Sequence, residues 1–144
     1  MNIIFSPFDK LSPQQLEDLF RLRQQVFIIE QQCFYEDIDG EDDKAEHLLI
    51  YKEDQLAAYM RIFQAGAKYK QQSNMGRIVV HPDFRGTDIG PSLINKGIEF
   101  CENTPIRIEA QAALIGYYNQ FGFKEEGETY VVDNIDHIQM VLSV

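Results

Sequence analysis

Six residues, Arg85-Gly86-Thr87-Asp88-Ile89-Gly90, stand between the apolar run Ile78-Val79-Val80 and a stretch of helical periodicity. A strand that enters a helix through such a loop can bind an anion. The first N–H groups of a helix are free, its dipole is positive at that end, and Arg85 adds a full charge. Two residues work against this: Asp88 brings negative charge, and Pro91 has no N–H. A short Asp at a helix start can fold back and cap the helix, which turns its carboxylate away from a ligand. Pro91 suits the first turn, where its N–H would have no intrahelical partner. No Gly-Lys-[Ser/Thr] follows, so this is not a Walker loop, and the G-x-G-x-x-G of dinucleotide folds is missing. Taken alone, the loop is as well read as a plain strand-to-helix turn.

Other chemistry is easier to set aside. Cys33 and Cys101 form no CxxC, and the three His are far apart, so no metal site is expected. The thiols read as reduced and buried, which fits a cytoplasmic protein. Residues 36–46, EDIDGEDDKAE, hold seven acids and one lysine. Asp37-x-Asp39-Gly40 fails as a calcium loop, because glycine falls at the fourth position and not the sixth. The segment is expected to be a solvated loop. A formal net charge of −10 argues against general nucleic-acid affinity and favours a cationic substrate. No apolar run is long enough for a membrane span, and residues 1–10 lack the pattern of a secretory signal.

The elements that would position these residues follow from pattern. Residues 2–5 form a first strand. Ser12-Pro13-Gln14-Gln15 is a capping box that opens a helix, with Leu16, Leu19, Phe20, Val26 and Phe27 on one face and an end near residues 28–32. Residues 47–63 read as a hairpin turning at Glu53-Asp54, and 76–80 as a buried strand. A helix spans about 90–102, a strand 106–110, and a short helix 114–121, stopped by Gly122. Strands at 129–133 and 137–142 close the chain, and exposed strands there can support a homodimer. The fold class is α/β (α+β): one domain, 1–144, with a central mixed, largely antiparallel twisted sheet of about six or seven strands flanked by helices.

A second motif, Tyr118-Asn119-Gln120-Phe121-Gly122-Phe123, follows the loop. Together with Arg85–Gly90 it resembles the GNAT acetyltransferase superfamily. The segments LRQQVFIIEQQCFYEDIDGEDD (22–43), EHLLIY (46–51), EAQA (109–112) and HIQM (137–140) are similar to its ElaA-like branch. The resemblance implies an acetyl-CoA-dependent N-acetyltransferase, with acetyl-CoA as cosubstrate and a small-molecule or peptide amine as acceptor.

It also implies roles. Arg85, Gly86, Thr87, Asp88, Ile89 and Gly90 would hold the CoA pyrophosphate. Ile78, Val79 and Val80 would offer backbone groups to the pantetheine and thioester, and Asn119 would lie at the cosubstrate. Tyr118 would be the general acid, since a phenol is protonated at neutral pH and can donate to a departing thiolate. Glu30, Glu109, His47 and His137 are open candidates for the base. Asp37, Asp39 and Glu41, with His47 beside them, would rim the acceptor site and attract a cationic amine. No nucleophile has an evident His partner, so direct attack by the amine is expected. The rival reading is a non-catalytic acyl-CoA-binding or regulatory domain on the same fold.

Overall fold

The computed structural model describes residues 1–144. One seven-stranded sheet runs through the molecule, in the order β1-β2-β3-β4-β5-β7-β6. Its strands are β1 (Asn2–Pro7), β2 (Glu46–Lys52), β3 (Gln55–Phe63), β4 (Ser73–Val80), β5 (Ile106–Gln111), β6 (Lys124–Val132) and β7 (Ile135–Leu142). All neighbours are antiparallel except β4 and β5, which are parallel. The mixed, largely antiparallel architecture is therefore as expected. No helix is long and apolar enough to cross a membrane.

Helix α1 (Pro13–Arg23) starts at the capping box: Ser12 Oγ accepts from the Gln15 N–H, and the Gln15 side chain accepts from the Ser12 N–H. It covers one face of the sheet, where Leu19, Leu22 and Val26 pack on Leu49, Tyr59 and Val79. Helices α2 (Ile89–Phe100) and α3 (Ile115–Asn119) cover the other. There Leu93 and Ile94 pack with Leu48, Met60, Ile108 and Met140. Leu93 is fully buried, so Leu93→Ala would cost about 2–5 kcal/mol.

Three boundaries differ from the pattern reading. The first helix is α-helical only to Arg23 and continues as a π-helical turn over Gln24–Glu30, marked by the Gln31 N–H donating to the Val26 carbonyl. Such turns often sit at functional sites. Strand β4 begins at Ser73, earlier than its apolar run, because buried Ser73 and Asn74 find partners in Thr104 and the Arg107 carbonyl. Strand β6 begins at Lys124, since a charged edge strand shows no hydrophobic alternation.

Candidate active site

Strands β4 and β5 stay paired only at Ser73–Ile106 and Asn74–Arg107. Beyond that they part, and the edge of β4 that faces β5 has no strand partner as far as Val80. The gap is a cleft of about 210 Å³. Gly76, Arg77 and Ile78 line one wall, and Ile108, Glu109 and Gln111 the other. Phe27 from the π-helical turn, Tyr35, Tyr118 and His137 close it. The Cys33 thiol donates to the Asp133 carbonyl, 3.3 Å away, which ties the segment before Tyr35 to the β6–β7 turn.

The wall formed by β4 is bulged. Tyr59 pairs with Val79 and Arg61 with Gly76, so β4 spends one residue more than β3 over this step. Arg77 takes up the kink with φ +49°, a left-handed conformation uncommon for a side-chain-bearing residue. It is held there from outside. Its guanidinium lies 2.8 Å from Asp37 Oδ1 and 3.3 Å from Asp39 Oδ2, and it donates to the Asp37 carbonyl.

This overturns the expectation for the acidic segment. Asp37 is buried between Arg23 and Arg77, and Asp39 receives a two-pronged bond from Arg61. Burial would push the Asp39 carboxyl up, but hydrogen bonds from Arg61 and the Glu41 N–H outweigh it and bring it down to about 2. Asp42 is buried against Arg23 and Arg61. Glu41 is exposed and paired with Lys44. Asp37 and Asp39 are thus internal counter-ions, not a rim that draws in a cationic amine.

His47 is corrected too. It is fully buried, and both its ring nitrogens are used. Nε2–H donates to the Asp42 carbonyl at 2.9 Å, so Nδ1 accepts from the Tyr59 hydroxyl at 2.6 Å. Neither substrate binding nor base catalysis is open to it. The arginines were the missed signal: Arg23 falls between Leu19 and Val26 on the apolar face of α1, and Arg61 interrupts the apolar run of β3. A charge in such a place needs a buried partner.

Glu30 ends the π-helical turn and does not line the cleft. Its carboxylate takes a fork from Arg85, at 2.6 and 2.7 Å, with both side chains partly exposed. The hydrogen bond from Arg85 holds its carboxyl below the ordinary value. A base needs a free lone pair, and here both oxygens of Glu30 are engaged by Arg85. Glu109 and His137 both line the cleft. Glu109 accepts from the Tyr130 hydroxyl at 2.6 Å. His137 Nδ1–H donates to the Ile135 carbonyl at 2.7 Å, which leaves Nε2 with its lone pair.

Tyr118 is buried in α3 and lines the same cleft. Its hydroxyl makes no hydrogen bond within the chain and is not sealed off. Burial, with Tyr117 beside it, pushes the phenol above its ordinary value, so it remains a proton donor. Gly122, at φ +97°, ends α3 in the left-handed conformation. Asn119 is turned elsewhere: its amide donates to the Phe123 carbonyl and Glu125, so it clamps the turn after α3 and does not reach toward a cosubstrate.

In the loop before α2, Gly86 has φ +78°. The N–H groups of Gly86, Thr87, Asp88 and Gly90 make no hydrogen bond within the chain. Asp88 does not cap α2, as its sequence position suggested; Thr87 does, accepting from the Ile89 N–H at 3.3 Å. The Asp88 side chain is exposed. Ile89 is buried against α2's own face of the sheet and can offer only backbone. A Cβ on Gly90 would stand 3.1 Å from the Tyr117 hydroxyl, so the absence of a side chain there keeps the loop and α3 close. Open N–H groups, a helix start and Arg85 fit a pyrophosphate.

A family model for the acetyltransferase (GNAT) domain matches residues 8–144. Protein ElaA of Escherichia coli is 38% identical over 141 residues, covering 94% of this chain and 92% of that protein. The crystal structure of Escherichia coli ElaA superposes with a TM-score of 0.92 at 35% identity, over 99% of each chain. An acyl-CoA N-acyltransferase from Pseudomonas aeruginosa gives 0.93 at 32% identity, over 99% of this chain and 100% of that one. Arabidopsis thaliana Naa50, solved with the bisubstrate analogue CoA-Ac-MVNAL, shares the fold at 0.74 and 19% identity, over the full length of both.

Proposed function

The chain belongs to the acetyltransferase (GNAT) family, and from this premise we propose that it moves an acetyl group from acetyl-CoA to an amine by direct attack, with Tyr118 as general acid. Membership of the family and likeness to an acyl-CoA N-acyltransferase support acyl-CoA-dependent acyl transfer. One observation carries the finer reading. The parting of β4 from β5 opens a cleft lined by the buried Tyr118, and β4 itself runs on to Val80 and into the loop whose N–H groups are free.

Acetyl-CoA would supply the activated acyl group. Arg85 and the N–H groups of Gly86, Thr87, Asp88 and Gly90 would take its pyrophosphate. The unpaired edge of β4 at Ile78, Val79 and Val80 would hold the pantetheine, with a backbone N–H near the bulge aimed at the thioester oxygen. Such a donor stabilises the charge that develops on that oxygen as nitrogen bonds to carbon. His137 Nε2 or the Glu109 carboxylate, directly or through water, would accept the proton that the amine loses. Tyr118 would give its proton to sulfur as the carbon–sulfur bond breaks. Arg77, locked by Asp37 and Asp39, would keep the bulge in place.

The test is Tyr118→Phe, with CoA release measured against a panel of amines and acetyl-CoA affinity by calorimetry. A loss of about 10²–10⁴ in kcat with little change in affinity is expected. A non-catalytic binding domain would bind acetyl-CoA and show no turnover for the substitution to remove.

A further inference from the structure

The charged groups around the cleft are sorted by wall. Cations come from β3, β4 and the loop between them: Arg61, Arg77 and Lys68. Acids come from β5 and the β6–β7 turn: Glu109 and Asp133. The two arginines already have counter-ions in Asp37, Asp39 and Asp42. Lys68 does not. It forms no ion pair, and its ammonium sits 5.7 Å from the ring centres of both Phe63 and Tyr69. The loop leaves Lys68 exposed; partial desolvation and Arg61 lower its pKa from the ordinary value, while Glu109 on the opposite wall raises it, so the two walls lie within electrostatic reach of one another. Between the walls the lining is apolar or aromatic, with Phe27, Tyr35, Leu114 and Ile135.

We infer that the acceptor is a zwitterionic amine, a free amino acid with an apolar side chain, whose carboxylate is held by Lys68 while its amino group lies on the Glu109 and His137 side. This rests on the acyl-transfer reading above and names the acceptor class for that site. The acid wall draws the ammonium form in and offers its proton an exit. The lysine wall fixes the carboxylate, and with it the direction of the nitrogen. A polyamine or an amino-sugar would leave Lys68 facing a second cation or a neutral hydroxyl.

The test separates binding from turnover. The protein saturated with CoA, which cannot transfer an acyl group, is titrated by calorimetry with L-leucine, L-phenylalanine, the carboxamide of each, and spermidine. The amino acids should bind about tenfold tighter than their carboxamides, and Lys68→Gln should abolish that difference without changing affinity for acetyl-CoA. The inference falls if carboxamides or spermidine bind as tightly, if none of the amino acids binds, or if Lys68→Gln weakens acid and amide alike. Release of CoA from acetyl-CoA is then followed with the same compounds. Selective binding of amino acids without acetylation would uphold the site and overturn the acyl-transfer reading. Acetylation of amides and amines without preference would do the reverse.

Discussion

Replacing Arg23 with Met should destabilise the fold through the contacts that support the cleft. The Arg23 side chain is fully buried. Its Nε lies 2.8 Å from Asp37 Oδ2, its Nη1 2.9 Å from Asp42 Oδ1, and its Nη2 donates to the Asp37 carbonyl at 2.7 Å. The guanidinium also stands over the rings of Phe20 and Tyr59. Methionine keeps much of the stem and removes every charged contact. Breaking a buried pair by removing one partner costs about 3–5 kcal/mol. The lower figure applies here, because Asp37 keeps Arg77 and Asp42 keeps Arg61. For a chain of 144 residues, about 3 kcal/mol corresponds to a fall in Tm of roughly 10 °C. Urea unfolding followed by circular dichroism would measure it, with the midpoint moving and the slope unchanged. Arg23→Met combined with Asp42→Leu should recover part of the loss, since matched apolar replacement of a buried pair is far less costly. A loss below about 1 kcal/mol would refute the reasoning, because that is the range of surface pairs.

Two further outcomes follow. Glu30→Gln should tighten acetyl-CoA binding, because Arg85 no longer has to leave a carboxylate; the pair is partly exposed, so the gain is at most about fivefold and shrinks in high salt. Calorimetry at two salt concentrations would show it, and weaker binding would mean that Glu30 orients Arg85 productively. Stability should also fall with acid in two stages. Burial depresses His47, so the unfolded chain takes up its proton first, and stability present above the ordinary His value of about 6.5 is lost as pH falls below it. Asp39, held at about 2, adds stability at higher pH that is lost between about pH 4 and 2. Thermal melts across that range should show both stages, and His47→Gln should remove the first.

Legibility in the sequence depended on how local each cause was. The capping box at Ser12 and Gln15, the hairpin of β2 and β3, α2, and the stop at Gly122 arise from neighbours in the chain, and all were readable. The seven-strand count fell within the expected range although the first half of β6 is mostly charged, because its partner β7 carries a clear apolar pattern. The parting of β4 from β5 left no mark, since it depends on how two distant strands twist. The acidic segment was misread for a similar reason. Its partners Arg23, Arg61 and Arg77 lie 14, 22 and 40 residues from Asp37 or Asp39, and no short-range pattern links them. The bulge at Arg77 was hidden too, because nothing in GRIVV asks for a left-handed residue. In the loop, a carboxylate at the cap position suggested a cap, but the neighbouring hydroxyl of Thr87 took the N–H instead.

The central claim is that the Arg85 loop and the gap beside β4 form an acyl-CoA site. Calorimetric titration with acetyl-CoA, beside Arg85→Ala, tests it most directly. The account predicts micromolar binding to the protein and a loss of at least tenfold in the variant, with the fold intact by circular dichroism. No binding, or equal binding by both, would contradict it.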